Sequence, residues 1–127
     1  MEKQQKIYSQ HSENATWLNK LAFYTDESKI MNKRIAEVAN KNSSKEILAK
    51  VEHFQNQLIV QKNNIDEIKH LININEDKIN ANINKNPISA DHRCMEDHSH
   101  ERNLVDGFEK HFNNLRHELN AFLADTL

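Results

Sequence analysis

Residues 47–79 read ILAKVEHFQNQLIVQKNNIDEIKHLININEDKI, and within them Ile47, Val51, Phe54, Leu58, Ile65, Ile68, Ile72 and Ile79 recur in alternating steps of four and three. At 3.6 residues per turn, such positions stack along one side of a helix, which makes this stretch a heptad seam. Polar residues occupy the seam at Gln61, Asn75 and, one step further on, Asn82. The run contains neither Gly nor Pro, so nothing in it interrupts a helix.

The same reading extends to both sides. Upstream, Trp17, Leu21, Tyr24, Met31, Ile35 and Val38 keep the four-three rhythm, with Ser28 in the one missing place, and predict a helix from about Ser9 to Asn40. Between the two lies Lys41-Asn42-Ser43-Ser44, where Ser43 and Glu46 have the spacing of a capping box for the second helix. Downstream, Asn86-Pro87 ends the second helix near Asn84, because Pro disfavours helical geometry in the residue before it, and Ser89 or Asp91 is placed to cap a third. That third helix carries Val105, Phe108, Phe112, Leu115, Leu119 and Phe122 on its seam. Gly107 falls inside it, and a turn at Asp106-Gly107 would split it into two helices. The seam keeps its phase across the glycine, so a continuous helix is expected. Two short connections between three long helices predict an all-α, antiparallel up-down-up three-helix bundle, spectrin-like in shape, forming one domain over residues 1–127.

Composition agrees. The chain has one Gly and one Pro in 127 residues, 37% hydrophobic and 28% charged residues, which suits a slender bundle in which each helix buries one narrow stripe. A net charge of -2 argues against nucleic acid or an anionic membrane as partner. The start, MEKQQKIYSQHSEN, lacks the apolar stretch of a signal peptide, and no run has the length of a membrane span. With a single cysteine, Cys94, a cytoplasmic protein is expected. The Asn/Ile-rich end of helix two, LININEDKINANINKN, is compositionally biased and expected to fray.

Chemistry is to be sought where a seam stops being apolar. Continuing the third seam back from Val105 gives Glu101, His98, Cys94 and Asp91, all on the face that is hydrophobic further on. Threading the helices as antiparallel neighbours places His11 and Asn75 near the level of His98, so a polar layer is predicted near one end. One reading of it is a divalent-metal site for zinc, manganese or iron with His11, Asp91, His98 and Glu101 as ligands, since imidazole and carboxylate are what such ions take. The simpler reading is a water-accessible bundle end whose polar pairs fix register.

Other motifs carry less. Glu67 and His70 match the Glu-x-x-His pair of di-iron bundles but lie opposite the seam formed by Ile65 and Ile68. His98 and His100 diverge on a helix, while His92, Glu96 and His100 share an outer stripe that reads as a solvated face. His53, His111 and His117 read as solvent contacts, Cys94 as a small buried thiol, and the aromatic residues as core. No Gly-rich phosphate loop or nucleophile elbow is present.

The segments HSENATWLNKLAFYTDE, VEHFQNQLIVQKNNIDEIKH, and NPISADH followed by DHSHERN resemble a group of short bacterial helical-bundle proteins without an assigned activity. The resemblance spans most of the chain and implies the bundle fold; it supplies no catalytic residue or cofactor. The expected function is a non-enzymatic helical interaction or scaffold protein. Helix two motivates this, because Leu48, Ile59, Val60, Leu71 and Ile74 lie off its seam and leave apolar surface for a protein partner or a second copy. The metal-binding bundle is the alternative, and an acid-base pair of His98 and Glu101 a weaker third.

Overall fold

A computed structural model describes residues 2–85 and 87–127, and the side chains of 9–81 and 98–127. Three helices make up the fold: α1 (Glu2–Lys41), α2 (Lys45–Lys85) and α3 (Pro87–Thr126). Each has 40 or 41 residues, a length of about 60 Å at 1.5 Å per residue. They run up, down and up, so α1 and α3 are parallel and both pack against α2, touching each other less extensively than either touches α2.

The connections follow from local chemistry. Asn42 closes α1 by donating from its side-chain amide to the Val38 carbonyl (2.9 Å), and Lys41 places a positive charge at the negative end of the helix dipole. α2 begins one residue later than a Ser43 cap would place it. Ser44 precedes its first turn and accepts Leu48 N at 3.0 Å, and Glu46 puts a carboxylate at the positive end. α3 begins at Pro87, earlier than a start at Ser89 or Asp91, because Pro at the first helical position lacks only an N–H that would have had no partner there. α1 likewise begins before Ser9.

The seams are the core. Trp17, Leu21, Met31, Ile35 and Val38 meet Val51, Phe54, Leu58, Ile65, Ile68 and Ile72, and Val105, Phe108, Phe112, Leu115, Leu119 and Phe122 close the third side; Leu123 joins them. Tyr24 and Ile47 are half-buried at the edge of this core. Rings fill the α1–α3 side, with Tyr24 edge-on to Phe108 at 5.4 Å and tilted against Phe112 at 4.7 Å. Burial at the edge of this cluster pushes the Tyr24 phenol above its usual range.

Register can be read from individual contacts. Asn14 bonds Asn75, so antiparallel residues of α1 and α2 whose numbers total 89, as 14 and 75 do, lie level. By that rule Ser28 is level with Gln61, and the two polar interruptions of the seams share one layer. Phe54 stacks near Phe122 at 5.1 Å, which sets the corresponding total for α2 and α3 at 176. Along the parallel α1–α3 edge, Glu13 pairs with Arg102, Lys20 with Glu109 and Glu27 with Arg116, each partner 89 residues further on and each pair one heptad from the last.

α3 is continuous through Gly107, which has an ordinary helical backbone, and a Cβ added there would meet nothing within 4 Å. A mid-helix glycine costs about 1 kcal/mol relative to alanine. Gly107→Ala is therefore expected to raise the thermal midpoint by about 3–6 °C in calorimetry; an unchanged or lowered midpoint would mean that the methyl group meets something the fold does not show.

Candidate functional site

The first seam continues back from Trp17 in the same steps to Asn14 and Gln10, and both are buried despite being polar. Asn75 of α2 and His98 and Glu101 of α3 are buried at the same end of the bundle. Together these five residues form the polar layer, and two hydrogen-bonded groups hold it, one on each side of α1.

On the α2 side, Asn14 donates from Nδ2 to Asn75 Oδ1 at 3.2 Å and to Glu76 Oε1 at 2.7 Å, while His11 Nδ1 donates to Glu76 Oε2 at 2.6 Å. On the α3 side, His98 stacks against Trp17 with ring centroids 4.6 Å apart, and its Nε2 donates to Glu13 Oε1 at 2.5 Å. Arg102 grips the same carboxylate with two bonds, Nη2 to Oε1 at 2.6 Å and Nε to Oε2 at 3.2 Å. This paired bond from Arg102, helped by the one from His98, holds the Glu13 carboxyl below the ordinary 4.5 against the opposing effect of burial. His98 Nδ1 is buried with no hydrogen-bond partner, as are the acceptors Gln10 Oε1 and Asn14 Oδ1 and the donor Asn75 Nδ2.

The expected metal ligands are only partly brought together. His98 and Glu101 share a buried face one turn apart, as their spacing requires. His11 is on the far side of α1, exposed and held by Glu76, because Asn14, one turn further along α1, is the residue level with Asn75. The side chain of Asp91 lies outside the described residues, as do those of Cys94, His92, Glu96 and Asn82. Among the described residues, no group of three or more His, Cys, Asp or Glu is arranged to hold a metal ion. The acid-base pairing of His98 with Glu101 is not formed through Nε2, which is bonded to Glu13.

Sequence periodicity alone does not single out Glu13, Glu76 or Arg102 as the third seam singles out His98. Gln10 and Asn14 are within its reach, since extending the first seam backwards arrives at both. Glu13, Glu76 and Arg102 are flanking positions whose roles depend on register, and no single-helix pattern marks them.

A second feature lies on the α2–α3 face. Asn64, Glu67, Ile68, Leu71, Asn103, Leu104, Gly107, Phe108 and His111 line an open groove of about 310 Å³. Glu67 and His70 do point outward, and Glu67 stands on the groove's rim. No family model, curated protein or solved structure matches the chain, so both features are read on their own geometry.

Because the Glu13 carboxyl is lowered in the folded protein, its contribution to stability is complete above the ordinary 4.5 and is lost as pH falls through the lowered value. Wild type is expected to exceed Glu13→Gln in urea midpoint by a constant margin at pH 5 and above, with the margin closing below pH 4.5. A margin that persists undiminished to about pH 2 would rule out this account of the Glu13 carboxylate.

Proposed function

We propose that this chain is a non-enzymatic helical interaction protein, a rod that offers the outer side of α2 to a protein partner or a second copy. The observation that carries the reading is a second stripe on α2. Val60, Asn64, Glu67, Leu71 and Ile74 follow the four-three rhythm on a side turned away from the core. Val60 is 48% and Ile74 37% exposed, Leu71 is half-buried in the groove, and Ile59 beside them is 58% exposed. Single exposed aliphatic side chains need no explanation; a spaced set bordering a groove is the pattern of an unoccupied helix-packing surface. Three grooves lined by described residues are open to water. A net charge of -2 favours protein over nucleic acid as the partner, and the single cysteine fits a cytoplasmic setting. No helix among the described residues is long and apolar enough to cross a membrane.

A photo-crosslinking amino acid placed at Val60 or Ile59 and activated in cells is expected to give discrete adducts, while the same probe at Glu37, on an exposed polar part of α1, gives none. Equal labelling at both places, or none at either, would defeat the interaction reading.

The metal reading keeps one observation in its favour. His98 Nδ1 is buried without a hydrogen-bond partner, and His98 shares a buried face with Glu101. On that reading, protein purified without chelator carries zinc, manganese or iron near one ion per chain by elemental mass spectrometry, and His98→Ala loses it while remaining helical by circular dichroism. Absence of metal in the wild type after incubation with all three ions would dispose of it.

A further inference from the structure

We infer that the polar layer is a divalent-cation site whose ligands are His98 Nδ1, the Glu101 carboxylate, Gln10 Oε1 and Asn14 Oδ1, and that manganese or ferrous iron is the ion it suits. This rests on the metal reading above and puts two amide oxygens of α1 where the sequence pattern put His11.

Register brings the four residues together. At the spacing of 89 residues that holds along the α1–α3 edge, His98 is level with position 9, beside Gln10, and Glu101 with position 12, between Gln10 and Asn14. Across to α2, the total of 176 sets Glu101 level with Asn75, the residue that Asn14 bonds. All of them are buried, and all stand on seams, which face the bundle axis.

The hydrogen bonds already made fix which atoms remain for a ligand. The Glu13 carboxylate, to which Arg102 donates at both oxygens, can only accept from the imidazole. In the neutral ring the proton is therefore on Nε2 and the lone pair on Nδ1, which is buried. Metal-binding histidines are held in the same way, one nitrogen donating to a carboxylate so that the other is oriented and more basic. Asn14 repeats the arrangement. Its Nδ2 is engaged with Asn75 and Glu76 of α2, which leaves Oδ1, on the other arm of the amide, buried and without a hydrogen-bond partner. Gln10 Oε1, one turn earlier on the same seam, is in the same state.

This donor set selects a cation. A water molecule has two protons to offer Gln10, Asn14 and His98, whereas a cation accepts a lone pair from each and a carboxylate oxygen from Glu101 besides. Charge points the same way: Glu13, Glu76 and Glu101 stand at this end against Arg102 and the exposed Lys78. One imidazole among oxygens favours manganese or ferrous iron over zinc, whose sites are richer in His and Cys, and over magnesium or calcium, which take oxygen alone.

Manganese titrated into about 100 µM full-length protein, previously stripped with chelator, can be followed by electron paramagnetic resonance of the free ion. Near one ion per chain is expected to bind. Gln10→Leu, which puts a side chain of similar size and no oxygen on the seam, and Glu101→Gln are each expected to bind at least about tenfold more weakly, with circular dichroism showing that both are folded. His11→Ala should bind like wild type. Bound manganese should broaden the indole N–H resonance of Trp17, the chain's only tryptophan and stacked on His98, before the ring resonances of His53 and His117. Binding that is lost in His11→Ala and kept in Gln10→Leu overturns this ligand set and leaves the metal reading with another. No binding of manganese or ferrous iron overturns the site, water alone then meeting the buried acceptors; zinc that still binds and is lost in His98→Ala would keep the metal reading without it.

Discussion

Three helices of 40 or 41 residues with heptad seams face a problem that their apolar residues do not solve. Sliding one helix past another by seven residues puts each hydrophobic position opposite an equivalent one, so burial alone leaves several registers close in energy. Polar groups remove this degeneracy. With a slip of seven, Asn14 would face Ile68 or position 82 in place of Asn75, and Gln61 would face Leu21 or Ile35 in place of Ser28. The slip that sets Asn14 against Ile68 gives up its bond to Asn75 and leaves a buried amide against hydrocarbon, at a cost of about 1–3 kcal/mol per unsatisfied group. The parallel α1–α3 edge works through sign. Glu13–Arg102, Lys20–Glu109 and Glu27–Arg116 alternate in polarity, so a slip in one direction sets Glu13 against Glu109 and Lys20 against Arg116, and a slip in the other sets Lys20 against Arg102 and Glu27 against Glu109. Exposed ion pairs of this kind add little stability individually, yet they discriminate strongly when the alternatives are like-charged.

The polar layer is the most concentrated form of the same device. Its two hydrogen-bonded groups flank α1, tying that helix to Glu76 and Asn75 of α2 on one side and to His98 and Arg102 of α3 on the other. Trp17 sits below the layer with its ring against His98, so the imidazole has an aromatic surface on one side and a carboxylate at its edge. This arrangement accounts for a buried histidine on an otherwise apolar face without any ligand: the ring is packed, and its N–H is bonded. Only Nδ1 is left over.

Much of this is legible in the sequence, and what is not has a physical reason. The seams name nearly every buried apolar residue because a heptad pattern and a helix face are the same geometrical statement. His98, Glu101 and Asn75 are legible as buried polar residues for the same reason. Relative register is not legible, since it depends on sums of small differences between helices that no single-helix pattern records. That is why the sequence places His11 at the level that Asn14 occupies. The error of one turn is also what separates His11 from His98: three residues along α1 rotate a side chain by about 300°, enough to move it from one inter-helix boundary to another. Ion pairs such as Glu13–Arg102 become visible only once register is known, because charged residues at flanking positions look alike whether or not they face a partner.

Gly107 ties the two halves of the molecule's behaviour together. Within the monomer it has no evident role: it adopts an ordinary helical conformation, terminates nothing, and an added Cβ would touch nothing. An alanine there would favour the helix by about 1 kcal/mol, so the fold of the isolated chain is better served by a different residue. The same holds for Leu71 and Leu104, which stop halfway between core and water on either side of it. At the polar end, by contrast, the buried polar residues that depart from the apolar pattern contribute to register within the chain. Departures that the bundle explains are concentrated in the seams, and exposed apolar residues that it does not explain lie on α1, at Phe23 and Ile30, as well as on α2, at Ile59, Val60 and Ile74.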